Sequence, residues 1–225
     1  MSHFWLPALA AITVAAGVGG ALGATAPPPA LTPRGVVAEV SRAENPPPLP
    51  APSPTPPPYV GPVASLYLAS AGIGASAPVE VRDTTFQGGH EVFQDPSTPR
   101  NIAWYARFGH PGSAGTNSIF AAHINYFGYG EGPFAHLLAA QPEQALYLTM
   151  ADGETYTYTV KSVTTLPLSS LDNGGMDDVV YPPLDSHTER VTLISCGGDF
   201  VPFAGTGGPG EYTSRVVLVA ERFVP

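Results

Sequence analysis

Between Pro27 and Pro62 this chain places 14 prolines in 36 residues, among them Pro46-Pro47-Pro48 and Pro56-Pro57-Pro58. Proline has no amide proton and a fixed φ, so the stretch is short of the donors of a helix or ladder and offers no packed core. Residues 27–62 therefore read as a disordered Pro-rich linker, which separates residues 1–26 from residues 63–225. In extended polyproline geometry, at about 3.1 Å per residue, it reaches on the order of 100 Å. A ligand for SH3-like domains is the competing reading of such a run.

Ahead of the linker, Phe4 to Ala26 is apolar and uncharged over 23 residues, long enough to span a bilayer as a helix. Residues 1–26 are then either an N-terminal membrane anchor or a signal peptide cleaved after Ala24-Thr25-Ala26. Met1-Ser2-His3 carries no Lys or Arg, so flanking charge does not set the orientation. Either reading puts the remainder outside the cytoplasm, at the cell surface or secreted.

From Val63 to Pro225 the rhythm is of short strands broken by turns. Leu146 to Met150 and Thr155 to Val160 flank Asp152-Gly153, a hairpin signal. Val191 to Ile194 and Val216 to Ala220 are continuous apolar runs, as in strands buried on both sides. Phe134 to Ala140 is the best short helix. Many strands with one or two short helices and no βα alternation predict a mainly β domain over residues 63–225, an antiparallel barrel or sandwich. The charge balance, 9 basic against 18 acidic residues with Lys161 the only lysine, leaves no electrostatic footprint for nucleic acid.

Cys196 is the only cysteine and closes the run Val191 to Cys196; Arg215 opens the next apolar run; His123 follows Ile119-Phe120-Ala121-Ala122. Exported proteins generally pair their cysteines, so an odd thiol is either reactive or simply buried. If the two apolar runs are antiparallel neighbours, Cys196 and Arg215 come to the same edge of the sheet. These three residues in their contexts, with Trp104-Tyr105, Gly109-His110-Pro111-Gly112, Gly132-Pro133-Phe134 followed by Leu137, and Cys196-Gly197-Gly198, resemble the signature of a sortase. The resemblance spans roughly residues 63 to 225 and is nearest to class F, with class E the alternative. It departs at Ser195, where the family usually has Thr, and at Ala122, where it usually has Gly.

The resemblance implies a sortase-type closed β-barrel and a cysteine transpeptidase. Its substrates would be sorting-signal peptides of surface proteins, with a Leu-Pro-x-Thr-Gly-like motif, and the acceptor an amine of the cell wall or a pilin. Cys196 would attack the peptide carbonyl to give a thioester. Arg215, a permanent cation with a rigid fork of donors, would bind the developing oxyanion. His123 would favour the thiolate as an imidazolium and protonate the leaving amine. Two rivals stand beside this reading. An L,D-transpeptidase also orders His before Cys, but its Ser-His-Gly-Cys context is absent. A non-catalytic secreted β-domain would carry Cys196 as an inert core residue.

His90, His110, His136 and His187 read as surface or structural, with His136 and His187 as minor candidates to line the site. Leu184 to Thr188 is either a wall of the binding groove or an ordinary loop. No helical pair of histidines and no second cysteine suggest a metal site, and neither Asp172-Asn173 nor Asp177-Asp178 sits in an EF-hand pattern. Gly128 to Gly132 lacks the strand-turn-helix frame of a dinucleotide site. No cofactor is expected.

Overall fold

The computed structural model describes residues 61–74, 76–87, 90–203 and 210–225. The apolar stretch 1–26 and all but the last two residues of the Pro-rich segment 27–62 lie outside the described residues. Among the described residues no helix is long and apolar enough to cross a membrane.

Eight strands form one sheet: β1 (Val63–Tyr67), β2 (Val79–Val81), β5 (Ile102–Tyr105), β6 (Asn117–Ala121), β9 (Ala145–Met150), β10 (Thr155–Pro167), β11 (Thr188–Pro202) and β12 (Gly210–Phe223). Two small hairpins, β3 (Thr84–Gln87) with β4 (His90–Phe93) and β7 (Asn125–Tyr126) with β8 (Gly130–Glu131), stand beside it. The spatial order β1-β9-β10-β12-β11-β6-β5-β2 curls into a nearly closed barrel whose two ends, β1 and β2, lie near each other without a ladder. Most pairs are antiparallel, but β11 runs parallel to β6 and β2 parallel to β5, so the sheet is mixed rather than purely antiparallel. Apolar patterning reveals that a segment is a strand; it does not choose its partner, which the crossover 122–187 fixes.

The expected hairpin forms, with Thr155 opposite Thr149 and Gly153 at φ 94, a conformation that favours glycine. Alternation along it sends Leu146, Leu148, Tyr156 and Tyr158 into the barrel and Tyr147 outward. The unbroken apolar runs are buried on both faces, as expected. One set of their side chains, with Leu66, Phe120, Leu193 and Leu218, fills the barrel. The other set, Ala103, Tyr105, Ile119 and Ile194, is covered from outside by Val180, with Phe93, Phe108 and Met176 around it.

That outer cover is the helical segment which patterning missed: α1 (Leu168–Ser170), a wide turn over Leu171–Gly175, and α2 (Met176–Val180). Asn173-Gly174-Gly175 reads as a loop, and Asn173 and Gly174 do leave helical geometry there, at φ −88 and 95. Phe134 to Ala140, where a helix was expected, instead makes successive turns and one 3-10 turn over Leu137–Ala139. Seven residues are too few to repay helix nucleation, and Pro142 biases Gln141 away from helical geometry.

Candidate active site

The long β11–β12 ladder sets the site. Its register puts Cys196 directly opposite Arg215, so the two side chains share one face of the sheet at neighbouring positions. Ile194 and Ala121 belong to the outer cluster, and alternation carries that face on to Cys196 and His123, while Ala122 packs inside the barrel. All three candidate residues therefore lie on the outer face, Cys196 and Arg215 just before the bulge in the β11–β12 ladder and His123 just past the end of β6.

Local sequence explains why the strands meet there. The Ala122 amide donates to the Ile194 carbonyl at 3.3 Å, and the buried Ser195 hydroxyl donates to the Ala122 carbonyl at 3.0 Å. The residue before the cysteine is thus tied to the residue before the histidine. Beyond Cys196 the ladder bulges between Gly197 and Phe200. A Cβ at Gly197 would meet the Val216 side chain at 2.6 Å, and Gly198 has φ 75 with Thr213 Oγ1 only 2.5 Å from where a Cβ would stand. Close strand approach and a bulge at this point require both glycines. Gly132 is needed behind the histidine, because a Cβ there would run into the His123 carbonyl, which accepts from the Phe134 amide at 3.1 Å.

Cys196 is half-buried, and burial pushes its thiol up from the ordinary value. The Arg215 guanidinium pulls the other way, while the carboxylates of Asp95 and Glu211 add to the rise. Burial also pushes His123 down, with Asp95 opposing. The imidazolium expected beside the thiol is therefore disfavoured. The balance at neutral pH is a neutral imidazole and a protonated thiol, and Arg215 is the cation that draws on the thiol. The His123 ring stands edge-on to Tyr126, with centroids 5.2 Å apart.

Arg215 is held by its own strand. Its Nη1 donates to the Ser214 carbonyl at 3.2 Å and reaches the Tyr212 carbonyl at 3.5 Å, and Nη2 pairs with Glu211 Oε1 at 3.4 Å. Sequence patterning does not single out Glu211, although a residue four positions along a strand shares Arg215's face. Nor does it single out Asp95, whose loop position carries no periodic signal.

The minor candidates fall elsewhere. His110 bridges the Pro111 and Gly61 carbonyls and stands edge-on to Trp104. His187 bonds the Val224 carbonyl and stacks on Phe223. His136 pairs with Glu131 at 3.3 Å and, with Arg100, lines a cavity of about 400 Å³ on the side of Gly132. Thr188 opposes Phe223 at the start of β11, so Leu184 to Thr188 lies at the end of the barrel remote from Cys196 and does not wall the site. The wall is formed instead by the helical segment after β10, whose first residues follow Pro167 opposite Ser214.

Fold and site together define a nearly closed β-barrel with a lone half-buried thiol facing an arginine across one ladder. The family model for the sortase domain matches residues 73–223, and the chain belongs to the sortase family, whose members are generally cysteine transpeptidases. Among solved structures, it is similar to sortase A from Corynebacterium diphtheriae, a lid mutant, at 19% identity over 72% of this chain and 70% of that one, with a TM-score of 0.48. It is also similar to sortase C2 of the Group B Streptococcus pilus island 1, at 16% identity over 71% and 72% of the two chains, with a TM-score of 0.45. A third is the SrtA sortase from Actinomyces oris, at 16% identity over 72% and 79%, with a TM-score of 0.47. No curated protein matches the chain.

Proposed function

We propose that this sortase cleaves a sorting-signal peptide through Cys196 and passes the acyl group to a surface amine. The observation that carries the reading is the register of Cys196 against Arg215, with His123 tied to the same strand end through Ser195. Substrate binding excludes water and brings an acyl carbonyl to the thiol; His123 takes the thiol proton, and sulfur bonds to the carbonyl carbon. The oxyanion is received by Arg215 N–H donors. Collapse breaks the C–N bond, and the departing amine takes its proton from His123, leaving a thioester. An incoming amine then releases the acyl group and regenerates the thiol. A Leu-Pro-x-Thr-Gly-like motif, a cell-wall or pilin acceptor, and a class F rather than class E character all rest on the resemblance.

The outer apolar cluster leads toward the thiol: Tyr105 and Ile194 are buried and Ala121 half-buried below α2, so this packing supports the face over which a peptide would lie. Exposed aromatics crowd the surroundings of the site, Tyr126, Phe127 and Tyr129 on the β7–β8 hairpin and Phe200 on β11 beyond the bulge. Residues 1–26 would anchor or export the domain and 27–62 would hold it away from the membrane, without adding to its core.

Mass spectrometry after mixing the protein with a library of Leu-Pro-x-Thr-Gly-like peptides tests the reading. A Cys196-linked acyl adduct, absent in Cys196→Ala and at most a trace in Cys196→Ser, is expected. Turnover by Cys196→Ala equal to the parent would remove Cys196 as nucleophile. Resistance of the folded thiol to iodoacetamide would favour the non-catalytic module instead.

A further inference from the structure

Arg215 does not face Cys196 with an open guanidinium. Three contacts from the preceding four residues of its own strand already hold it: two carbonyls on Nη1 and the Glu211 carboxylate on Nη2. A guanidinium has five N–H donors in a fixed plane. These contacts draw on Nη1 and Nη2 and none of them uses Nε. The edge of the planar guanidinium formed by Nε and Nη2 is therefore the one with a donor left for an acyl oxygen. Which edge is presented therefore depends on what grips the other edge.

Glu211 is the only charged member of that grip. Its side chain and that of Arg215 are each about a quarter exposed, at 23% and 24%. The pair is thus less screened than one at an open surface. At 3.4 Å the contact is long for a hydrogen bond and close for an ion pair, so it orients more through charge than through a tight bond. Backbone carbonyls alone would leave the guanidinium a choice of tilt; a carboxylate on one Nη removes it.

We propose that Glu211 is the positioning residue for Arg215, fixing the guanidinium so that its Nε and Nη2 edge is left to receive the oxyanion formed at Cys196. This rests on the acyl-transfer reading above and extends it to a residue that never touches the substrate. The arrangement carries a cost. A carboxylate beside the cation offsets part of the field that would ionise the thiol, so Glu211 trades thiol acidity for a fixed donor geometry. The charged and titratable groups near Cys196 are Arg215 and Glu211 on β12, Asp95 from the loop before β5, and His123 after β6.

Single-turnover acylation by a fluorogenic Leu-Pro-Ala-Thr-Gly peptide, measured for Glu211→Ala in the parent and in an Arg215→Lys background, tests the proposal. An oxyanion donor is worth on the order of 10² to 10³ in rate, and a misaimed one loses part of that. Glu211→Ala should therefore acylate about tenfold slower or worse, with KM little changed. In the Arg215→Lys background the same substitution should cost less than about threefold, because the fork it aims is already gone. Equal losses in the two backgrounds, or parent-like acylation by Glu211→Ala, overturn the proposal. If Glu211→Ala does not fold, the isosteric Glu211→Gln takes its place in the same cycle with the same criteria. Glu211→Gln also keeps an acceptor oxygen while losing the charge, so the pH midpoint of Cys196 alkylation by iodoacetamide should fall. An unmoved or raised midpoint overturns the proposal without reference to any peptide. Parent protein inert to the peptide, but with the lowered midpoint in Glu211→Gln, would instead fault the substrate reading and leave the Glu211–Arg215 relation supported.

Discussion

A single methyl separates Ser195 from the threonine usual in this family, and the structure gives a reason why the hydroxyl is the part retained. Ser195 Oγ is buried and donates to the carbonyl of Ala122, the residue before His123. Ser195→Ala would leave that carbonyl short of a partner in a dry place, at a cost of about 1–3 kcal/mol. It should lower the melting temperature and slow acylation together, whereas Ser195→Thr should keep the bond and most of both; circular dichroism melts beside single-turnover rates check this. Burial of Cys196 carries a second expectation. Its iodoacetamide reaction should have a midpoint above the ordinary thiol value of about 8.5. Since the fold holds this proton more tightly than the unfolded chain, its contribution to stability is present below the ordinary thiol pKa. It is lost as pH rises toward the folded value. His123, pushed down by burial, acts at the other end: its contribution is present above the ordinary histidine value and is lost as pH falls through the folded one. Cys196, His123 and Arg215 were legible as candidates because each adjoins an apolar run. Asp95 and Glu211 were not, because an electrostatic neighbour leaves no period in the sequence.

Among the elements, the strands were readable and their order was not. The runs at Val191 and Val216 announced strands buried on both sides, and the antiparallel pairing that brings Cys196 to Arg215 results once they are neighbours. The parallel contact of β6 with β11 depends on a crossover of more than 60 residues, which no local pattern encodes. The helical wall was hidden by Asn173-Gly174-Gly175, and the expected helix at Phe134 gave way to turns that brace the histidine. This bracing can be tested at Gly132. An added methyl has no room against the His123 carbonyl, so Gly132→Ala must displace either the β8 turn or the histidine. A loss of about 1–3 kcal/mol is expected. Acylation should fall further than the unfolded fraction accounts for, while Gly128→Ala, in open space but also at positive φ, should cost stability alone. Equal acylation per folded molecule in the two variants would remove the bracing role.

At the scale of the whole molecule, the proposed site and the main buried charge cluster lie toward different ends of the barrel. Along β11, Cys196 lies seven residues from Glu189, roughly 23 Å at the usual rise of a strand. Glu189 is fully buried and completely engaged: Arg222 Nε donates to one carboxylate oxygen at 2.5 Å, and the Tyr158 hydroxyl and the Gly112 amide donate to the other at 2.5 and 2.6 Å. Arg222 also lies 4.5 Å above the Tyr156 ring. One carboxylate thereby joins β10, β11, β12 and the loop after β5. A buried charge of this kind stabilises only while every partner is present, and removing one member of such a pair typically costs about 3–5 kcal/mol. Because Arg222 keeps an exposed edge, Glu189→Ala should fall toward the lower part of that range. The expected outcome is a drop in melting temperature of roughly 6 to 15 °C, at about 2–4 °C per kcal/mol for a domain of this size. Acylation per folded molecule and the pH midpoint of Cys196 alkylation should stay at parent values, since the proposed site lies at the opposite end. A Glu189→Ala protein that melts normally would show the cluster to be dispensable. One that melts low and also shifts the alkylation midpoint would show that the two ends are coupled through β11, and the separation of stability from chemistry would fail.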